Sequence, residues 1–443
     1  MQQAQKSSRP KLLQAMVDAF SLPDLRRKLL FTLAMLVVFR FVAHVAIPAA
    51  DADALKALST GEGQLPAFLG MIDIFSGGGL RNVSIAMMGV YPYITASIIM
   101  QLLVPVIPRL QALSREGEEG RRKINQYTHW LMVPMAMLQG YGQLVVLQRT
   151  EVGGIPLISG VGFSGDMWLP TLAMLFSMTA GTVFLVWLGE RITERGIGNG
   201  ISIIIFGGIV SALPVNIWSA NETTGFGGMI KLVILLAAIA FFIVFVSEAV
   251  RRIPVQYSRS LFRGGRMYRQ SGGTHIPIRV NSAGMIPLIF AYAFLMFPSA
   301  VASYVGADWV RDFLGVEREI YWILLFFLVV GFTFFYTMVT FQQQNLAETL
   351  QKQGGFVPGI RPGRPTAEYL NRVITRVTWG GALFLAAIAV SPLLSRWLIG
   401  GPNWANLMLI SAAGLLITVG VVLDTMRQIE AQLLMRQYEG FIK

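Results

Sequence analysis

Few residues in this chain of 443 are equipped for chemistry, and most of those are basic. Arg40 and His44 stand one helical turn apart inside an apolar run, where ionisable groups commonly mark ion or proton paths. A relay would need a carboxylate at similar depth, and none stands mid-run; Lys231, Glu248 and Asp424 fall at run ends, within reach of water. The other role open to Arg40 and His44 is structural, pairing inside a helix bundle or reaching the interface. The absence of Cys excludes disulfides, thiolate metal sites and cysteine nucleophiles, and His44, His129 and His275 lie far apart in sequence. HExxH, GxSxG, the Walker A lysine loop and paired mid-run aspartates are all missing. No catalytic residue, metal site or cofactor is expected, and any work the chain does must draw its energy from a partner.

Two hydrophilic segments remain. Residues 248–280 hold seven Arg and Glu248 as their one acidic residue, interleaved with Tyr257, Phe262 and Tyr268. Arg presents a planar fork to phosphate and stacks on bases, so ribosomal RNA suits this segment, with anionic lipid headgroups as the alternative. Residues 341–376 contain GGFVPGIRPGRP, whose Gly and Pro make turns that would present Arg361 and Arg364 outward. A loop this long is uncommon without a function. Both read as docking surfaces for something large and anionic or acidic.

The elements that would position these groups are membrane spans. The chain is 54% hydrophobic and 14% charged, against about 25% charged in an ordinary soluble domain. About 20 apolar residues cross a bilayer core as a helix. Ten stretches qualify or nearly do: 29–47, 85–104, 128–147, 167–189, 200–217, 229–246, 283–301, 320–339, 377–394 and 404–423. Ten spans put both termini on one side. On that arrangement 28 of the 36 Lys and Arg face the termini's side and 7 the other, with Arg40 inside the first span. Basic residues concentrate in cytoplasmic loops, so the termini are expected inside. No cleavable signal peptide is apparent, because some 28 polar or mixed residues precede the first apolar run. Leu12, Leu13, Met16, Val17 and Phe20 recur at helical spacing, predicting an amphipathic helix on the cytoplasmic interface or packed under the bundle.

Between the first two spans lies LPAFLGMIDIF (65–75), then Ser76 and Gly77-Gly78-Gly79. At helical rise the apolar piece reaches only about 16 Å, half a bilayer. Irregular backbone at membrane depth survives where it is buried in protein or lines a cavity. The segment is therefore either a half-helix in a vestibule or a helix lying on the outer surface.

Four motifs then converge: MMGVYPYITASIIMQLL (87–103), WLGERITERGIGNGISIIIF (187–206), VNSAGMIPLIF (280–290) and GGFVPGIRPG (354–363). With FSGGG before the second span, they closely resemble the bacterial SecY family, the channel subunits of the general protein translocase. The likeness runs in order along the whole chain.

The resemblance implies an all-α membrane protein, ten transmembrane helices in two inverted five-helix halves, with a short re-entrant plug helix. Its divisions would be a cytoplasmic amphipathic segment at 1–28, an N-terminal half at 29–217 with the plug at 65–83, a C-terminal half at 218–425 and a cytoplasmic tail at 426–443. It implies a pore ring of Val90, Ile94, Ile201, Ile205, Ile289 and Ile417, which spacing alone would assign to core or lipid. It implies a plug including Phe68, Ile72, Phe75, Ser76, Gly77 and Gly78. It implies a lateral gate between spans two and three on one side and seven and eight on the other, with Thr95, Gln101 and Pro287 on its walls. Pro92 and Pro287 would ease bending there or make static kinks.

Docking would use Arg361, Arg364, Arg263 and Arg266; where family members often carry two adjacent Arg, this chain has Gly265-Arg266. The implied partners are the SecE and SecG membrane subunits, the SecA ATPase, the ribosome, secretory and nascent membrane polypeptides, and membrane lipids. The implied setting is the bacterial cytoplasmic (inner) membrane. An ion-coupled transporter and an insertase without a through pore are the competing readings; the first would need ionisable groups at mid-depth.

Overall fold

A computed structural model describes residues 20, 22–48, 76–80, 82–149, 151–152, 155–158, 160–163, 165–257, 260–263, 266–269, 273–305, 313–315, 318–344, 346–399 and 412–442. The amphipathic N-terminal segment up to residue 19 and the apolar half-helix at 65–75 lie outside them.

Helix α1 (Pro23–Val42) opens with Pro in its first turn and Asp24 beside it, both suited to a helix N-terminus. Its buried residues, Leu25, Thr32, Phe39 and Val42, make one narrow stripe, while Leu30, Val37 and Phe41 stay exposed as a lipid-facing side would. α2 (Tyr91–Leu103) and α3 (Pro108–Arg115) meet at a 99° bend. α4 (Glu118–Arg149) leads through a small hairpin, β1 (Glu151–Val152) and β2 (Ile155–Pro156), to α5 (Trp168–Arg195). The Asn199 side chain caps α6 (Gly200–Glu248) by accepting from the Ser202 N–H. α6 holds two of the expected spans, separated at Gly225, whose φ of 72° and ψ of 176° interrupt the helix.

A ribbon follows, with β3 (Val250–Tyr257) antiparallel to β6 (Gly273–Arg279) and a smaller hairpin, β4 (Ser260–Arg263) and β5 (Arg266–Arg269), between them. Next come α7 (Ile286–Val305), α8 (Glu319–Gln344), α9 (Leu346–Lys352), β7 (Gly355–Phe356), α10 (Arg364–Ile399) and α11 (Ala412–Ile442).

Each expected span falls on a helix, though the limits differ. Among the described residues, five helices are long and apolar enough to cross a membrane, or six with the bent α2–α3 pair as one span; Gly200–Pro214 and Ile286–Leu295 are shorter apolar helices. The second span was expected from residue 85, but helix begins at Tyr91, and 82–90 is a run of buried turns. Hydropathy does not distinguish a buried turn from a helix. Gly89 (φ 55°) and Val83 (φ 43°) occupy the left-handed region there. Gly181 of α5 packs so closely on the Ile85 carbonyl that a methyl group would overlap it. Pro92 and Pro287 therefore stand in the first turns of α2 and α7, where their missing N–H groups leave no helical bond unmade. They do not kink these helices. The segment set apart as a tail continues the last span as helix through Ile442.

Three large apolar cores form among the described residues, one of them gathering Ile47, Leu80, Val83 and Met88 with Leu144 of α4 and Met178 of α5. A second joins α1, α2, α4, α5 and α6 with Ile417 and Val421 of α11; the third joins α7, α8 and α10 with Ile243 of α6 and Leu416 of α11. Met285, just before α7, packs against the second and the third.

Candidate functional site

The expected ring residues come from separate elements. Val90 ends the buried turns, Ile94 is one turn into α2, Ile201 and Ile205 share a face of α6, and Ile417 projects from α11. These five enter one aliphatic cluster, with Val90 and Ile417 fully buried. Ile289 of α7 is buried but lies outside that cluster; Met285, one turn earlier on the same face, packs against it instead. The cluster includes Phe39, Met132, Leu185 and Ile209. Its side chains interlock without hydrogen bonds between them, so a different apolar arrangement costs contacts rather than unpaired polar groups.

What lies on either side can be read along α6. At Asn199 and Ser202 a cavity of ≈ 410 Å³ opens, lined also by Arg279, Asn281, Asp424 and Arg427. Arg427 donates to Glu248 at 2.6 Å and lies 3.4 Å from Asp424, which ties α11 to the end of α6 beside this cavity. Ile201 and Ile205 follow in the aliphatic cluster. Gly208 is three residues on, about 4.5 Å of helix rise, and there the chain meets the glycine segment.

Gly77 sits so close that a methyl group on it would come within 2.7 Å of Phe39 Cζ and 2.8 Å of the Gly208 Cα. Its φ of 70° and that of Gly78, 86°, are also glycine's to adopt. Ser76 and Leu80 are fully buried, and the Ser76 hydroxyl accepts from the Leu80 N–H at 3.3 Å. This end of the segment is thus inside the bundle, whereas Phe68, Ile72 and Phe75 fall outside the described residues. Arg40 Nη1 donates to the Gly77 carbonyl at 2.5 Å, and His44 Nδ1 lies 2.7 Å from the Arg40 carbonyl. The sequence had marked Arg40 as an isolated charge; its partner, 37 residues away, had no signal.

The expected gate residues behave differently from one another. Thr95 donates to the Pro92 carbonyl and accepts from Gln139 Nε2 at 3.0 Å, joining α2 to α4. Gln101 bonds Ser97 on its own helix at 3.2 Å. Pro287 is buried at the start of α7. α7 and α8 meet through edge-on rings, Phe290 with Phe332 at 5.8 Å and with Tyr336 at 6.3 Å.

The expected docking residues fall on separate parts of the two large loops. β7 pairs with β3, opposing Gln256 to Phe356 and Tyr257 to Gly355, so the two large loops form one three-stranded sheet. A small core of Ile253, Val255, Ile278, Leu350, Val357, Leu370 and Ile374 holds them together. Arg361 is exposed beside this sheet, its carbonyl accepting from Thr366 Oγ1 at 2.8 Å. Arg364 is 91% exposed and pairs with Glu368 at 3.2 Å, a surface bond that leaves the guanidinium available because such pairs contribute about 1 kcal/mol or less. Arg263 and Arg266 oppose each other across the β4–β5 register.

Along α6 the order is polar cavity, aliphatic cluster, then the glycine segment. A family model described as SecY matches residues 84–426. The protein translocase subunit SecY of Streptomyces galbus is 42% identical over 445 residues, covering 98% of this chain and 100% of that protein. The chain belongs to the SecY family. It is the channel subunit of a protein translocase, a multi-pass membrane protein without enzymatic chemistry of its own. Two solved SecY-fold structures agree in architecture. One was described for a SecY plug domain that stabilises the closed state and maintains a membrane seal (TM-score 0.61, 18% identity, 94% of this chain and 96% of that one). The other is canine Sec61 in a ribosome-channel complex from the endoplasmic reticulum (TM-score 0.63, 17% identity, 94% and 96%).

Proposed function

We propose that this chain passes unfolded secretory polypeptides across the bacterial cytoplasmic membrane, termini inside, and releases apolar segments sideways into the bilayer. The observation that carries this reading is the aliphatic cluster around Ile205, set between the polar cavity and the lodged glycine end at Gly77. The cluster is the closed waist, and Val90, Ile94, Ile201, Ile205 and Ile417 form its ring with Ile289 joining as the α7 wall moves. The segment at 65–83 is the plug. A ring without fixed hydrogen bonds excludes ions at rest, because a narrow apolar waist dewets, yet yields to a chain of any sequence.

Sideways release fits the packing. Thr95 and Gln139 bond within the α2–α4 wall, and Phe290 packs within the α7–α8 wall, so each wall can move as a unit and part from the other. Energy comes from outside: the SecA ATPase or a translating ribosome docks on the two large loops that carry Arg361, Arg364, Arg263 and Arg266, and the SecE and SecG subunits pack in the membrane. Ribosome docking is supported by the basic character of these loops and by the canine relative's own complex.

The test is translocation into vesicles that carry this chain with the SecE and SecG subunits, supplied with SecA and ATP. A secretory precursor becomes protease-protected; absence of protection would overturn the proposal. Arg361→Glu, whose side chain is surface-exposed, lowers the protected yield about tenfold while the variant accumulates in membranes normally, and normal export would remove Arg361 from the docking surface.

A further inference from the structure

We propose that Arg40 is the latch of the resting channel, its guanidinium holding the glycine end of the plug by the Gly77 carbonyl until the channel opens. The inference rests on reading the segment before span two as a plug, and it adds the residue that keeps that plug seated.

Charge inside a membrane span is costly unless partnered, so an Arg in the last turn of α1 calls for a use. Its Nη1 reaches the Gly77 carbonyl at 2.5 Å, and Gly78 follows with an ideal Cβ position 3.9 Å from the same nitrogen. The guanidinium thus lies along the glycine backbone. A backbone carbonyl suits a latch better than a carboxylate does. The bond is charge-assisted and holds position, but the carbonyl carries no counter-charge, so water can replace it on either side when the vestibule hydrates.

The surrounding bonds divide the segment into a fixed base and a releasable end. Beyond the glycines the chain is fastened to the outer end of α1. Ile47 N–H donates to Val83 and Ile85 N–H to Val45, both at 2.9 Å, and Asn82 Nδ2 donates to the Ala43 carbonyl at 3.3 Å. Those bonds lie after residue 81, whereas Gly77 is held by Arg40 and by its fit against Phe39 and Gly208. Swinging the plug out about Gly78 and Gly79 would break the Arg40 bond and the Ser76–Leu80 bond and leave the fastening to α1 intact. His44 Nδ1, at 2.7 Å from the Arg40 carbonyl, supports the helix end from which the latch projects.

Full-length chain in vesicles of phosphatidylethanolamine and phosphatidylglycerol supplies the test, since the absence of Cys allows one to be placed at will. Ser76→Cys reports the plug end, and Leu157→Cys reports the fold at another fully buried site. Reaction with a water-soluble maleimide is measured in chains carrying Arg40, R40K, R40Q or R40M; Met fills similar space without charge. R40M and R40Q are expected to react at Ser76→Cys at least tenfold faster, with a matching rise in chloride leak, and R40K to fall between. Leu157→Cys is expected to stay protected in all four. Wild-type protection of Ser76→Cys in R40M and R40Q overturns the latch. Equal exposure of both sites overturns it too, by reducing Arg40 to a residue that holds the fold. Deleting 65–79 separates the premise: an unchanged leak there refutes the plug, whatever Arg40 does.

Discussion

Ile205→Asn raises the resting ion flux of reconstituted channels by about a hundredfold, the equivalent of lowering the barrier at the waist by about 3 kcal/mol. Ile205 is 2% exposed and its neighbours in the cluster are aliphatic or aromatic. Water entering such a waist gives up hydrogen bonds it cannot replace. An amide placed there has the opposite need, since a buried polar group without a partner costs about 1–3 kcal/mol and recovers that by admitting water. The substitution therefore wets the constriction. Ile205→Val trims the seal without adding a polar group and changes the flux by a few-fold at most. Ile234→Asn, at a position 62% exposed on the outside of α6, introduces the same amide without touching the waist and leaves the leak at its resting value. Chloride flux from dye-loaded vesicles checks all three, and equal leaks from the Ile205 and Ile234 variants would place the barrier elsewhere.

Gly77→Ala unseats the plug, whereas Gly78→Ala largely does not. Both positions have positive φ, so both substitutions strain the backbone by a similar amount, about 1 kcal/mol. Only the first also lacks room. A methyl group at Gly77 would approach Phe39 Cζ to 2.7 Å and the Gly208 Cα to 2.8 Å, while at Gly78 the nearest atom is Arg40 Nη1 at 3.9 Å. Phe39 can turn slightly, but the backbone of α6 cannot, so the segment must lift. The expected result is a leak roughly tenfold greater for Gly77→Ala than for Gly78→Ala. Matching leaks would mean that backbone strain, not the fit against α6, governs the seat.

Much of this architecture was open to inference because membranes impose simple rules. The apolar runs had to be helices, and the basic residues had to choose a side. The SecY-like motifs then singled out the ring, which apolarity alone could not do: Ile205 in the cluster and Ile234 facing outward look alike as letters. What stayed hidden depended on contacts between distant parts of the chain. The turns at 85–90 read as helix because they are as apolar as one, and the first-turn place of Pro92 follows from that same boundary. Nothing in VNSAGMIPLIF marked Met285, which packs against two apolar cores. The β3–β7 pairing unites loops about 100 residues apart, and two-residue β7 has no periodicity to announce it. Arg40 was visible as a charge, but its partner is a glycine carbonyl, and backbone groups leave no mark on a sequence.

The central claim is that polypeptide travels through the aliphatic cluster and not along the outside of the bundle. Single Cys residues at Ile205, Val90 and Ile417, and one at the 75% exposed Phe241 on the outer face of α6, are each paired with a Cys in the middle of a stalled secretory chain. Disulfide crosslinks are then scored. The account predicts crosslinks from the three cluster positions and none from Phe241. Crosslinks from Phe241 with none from the cluster would contradict it.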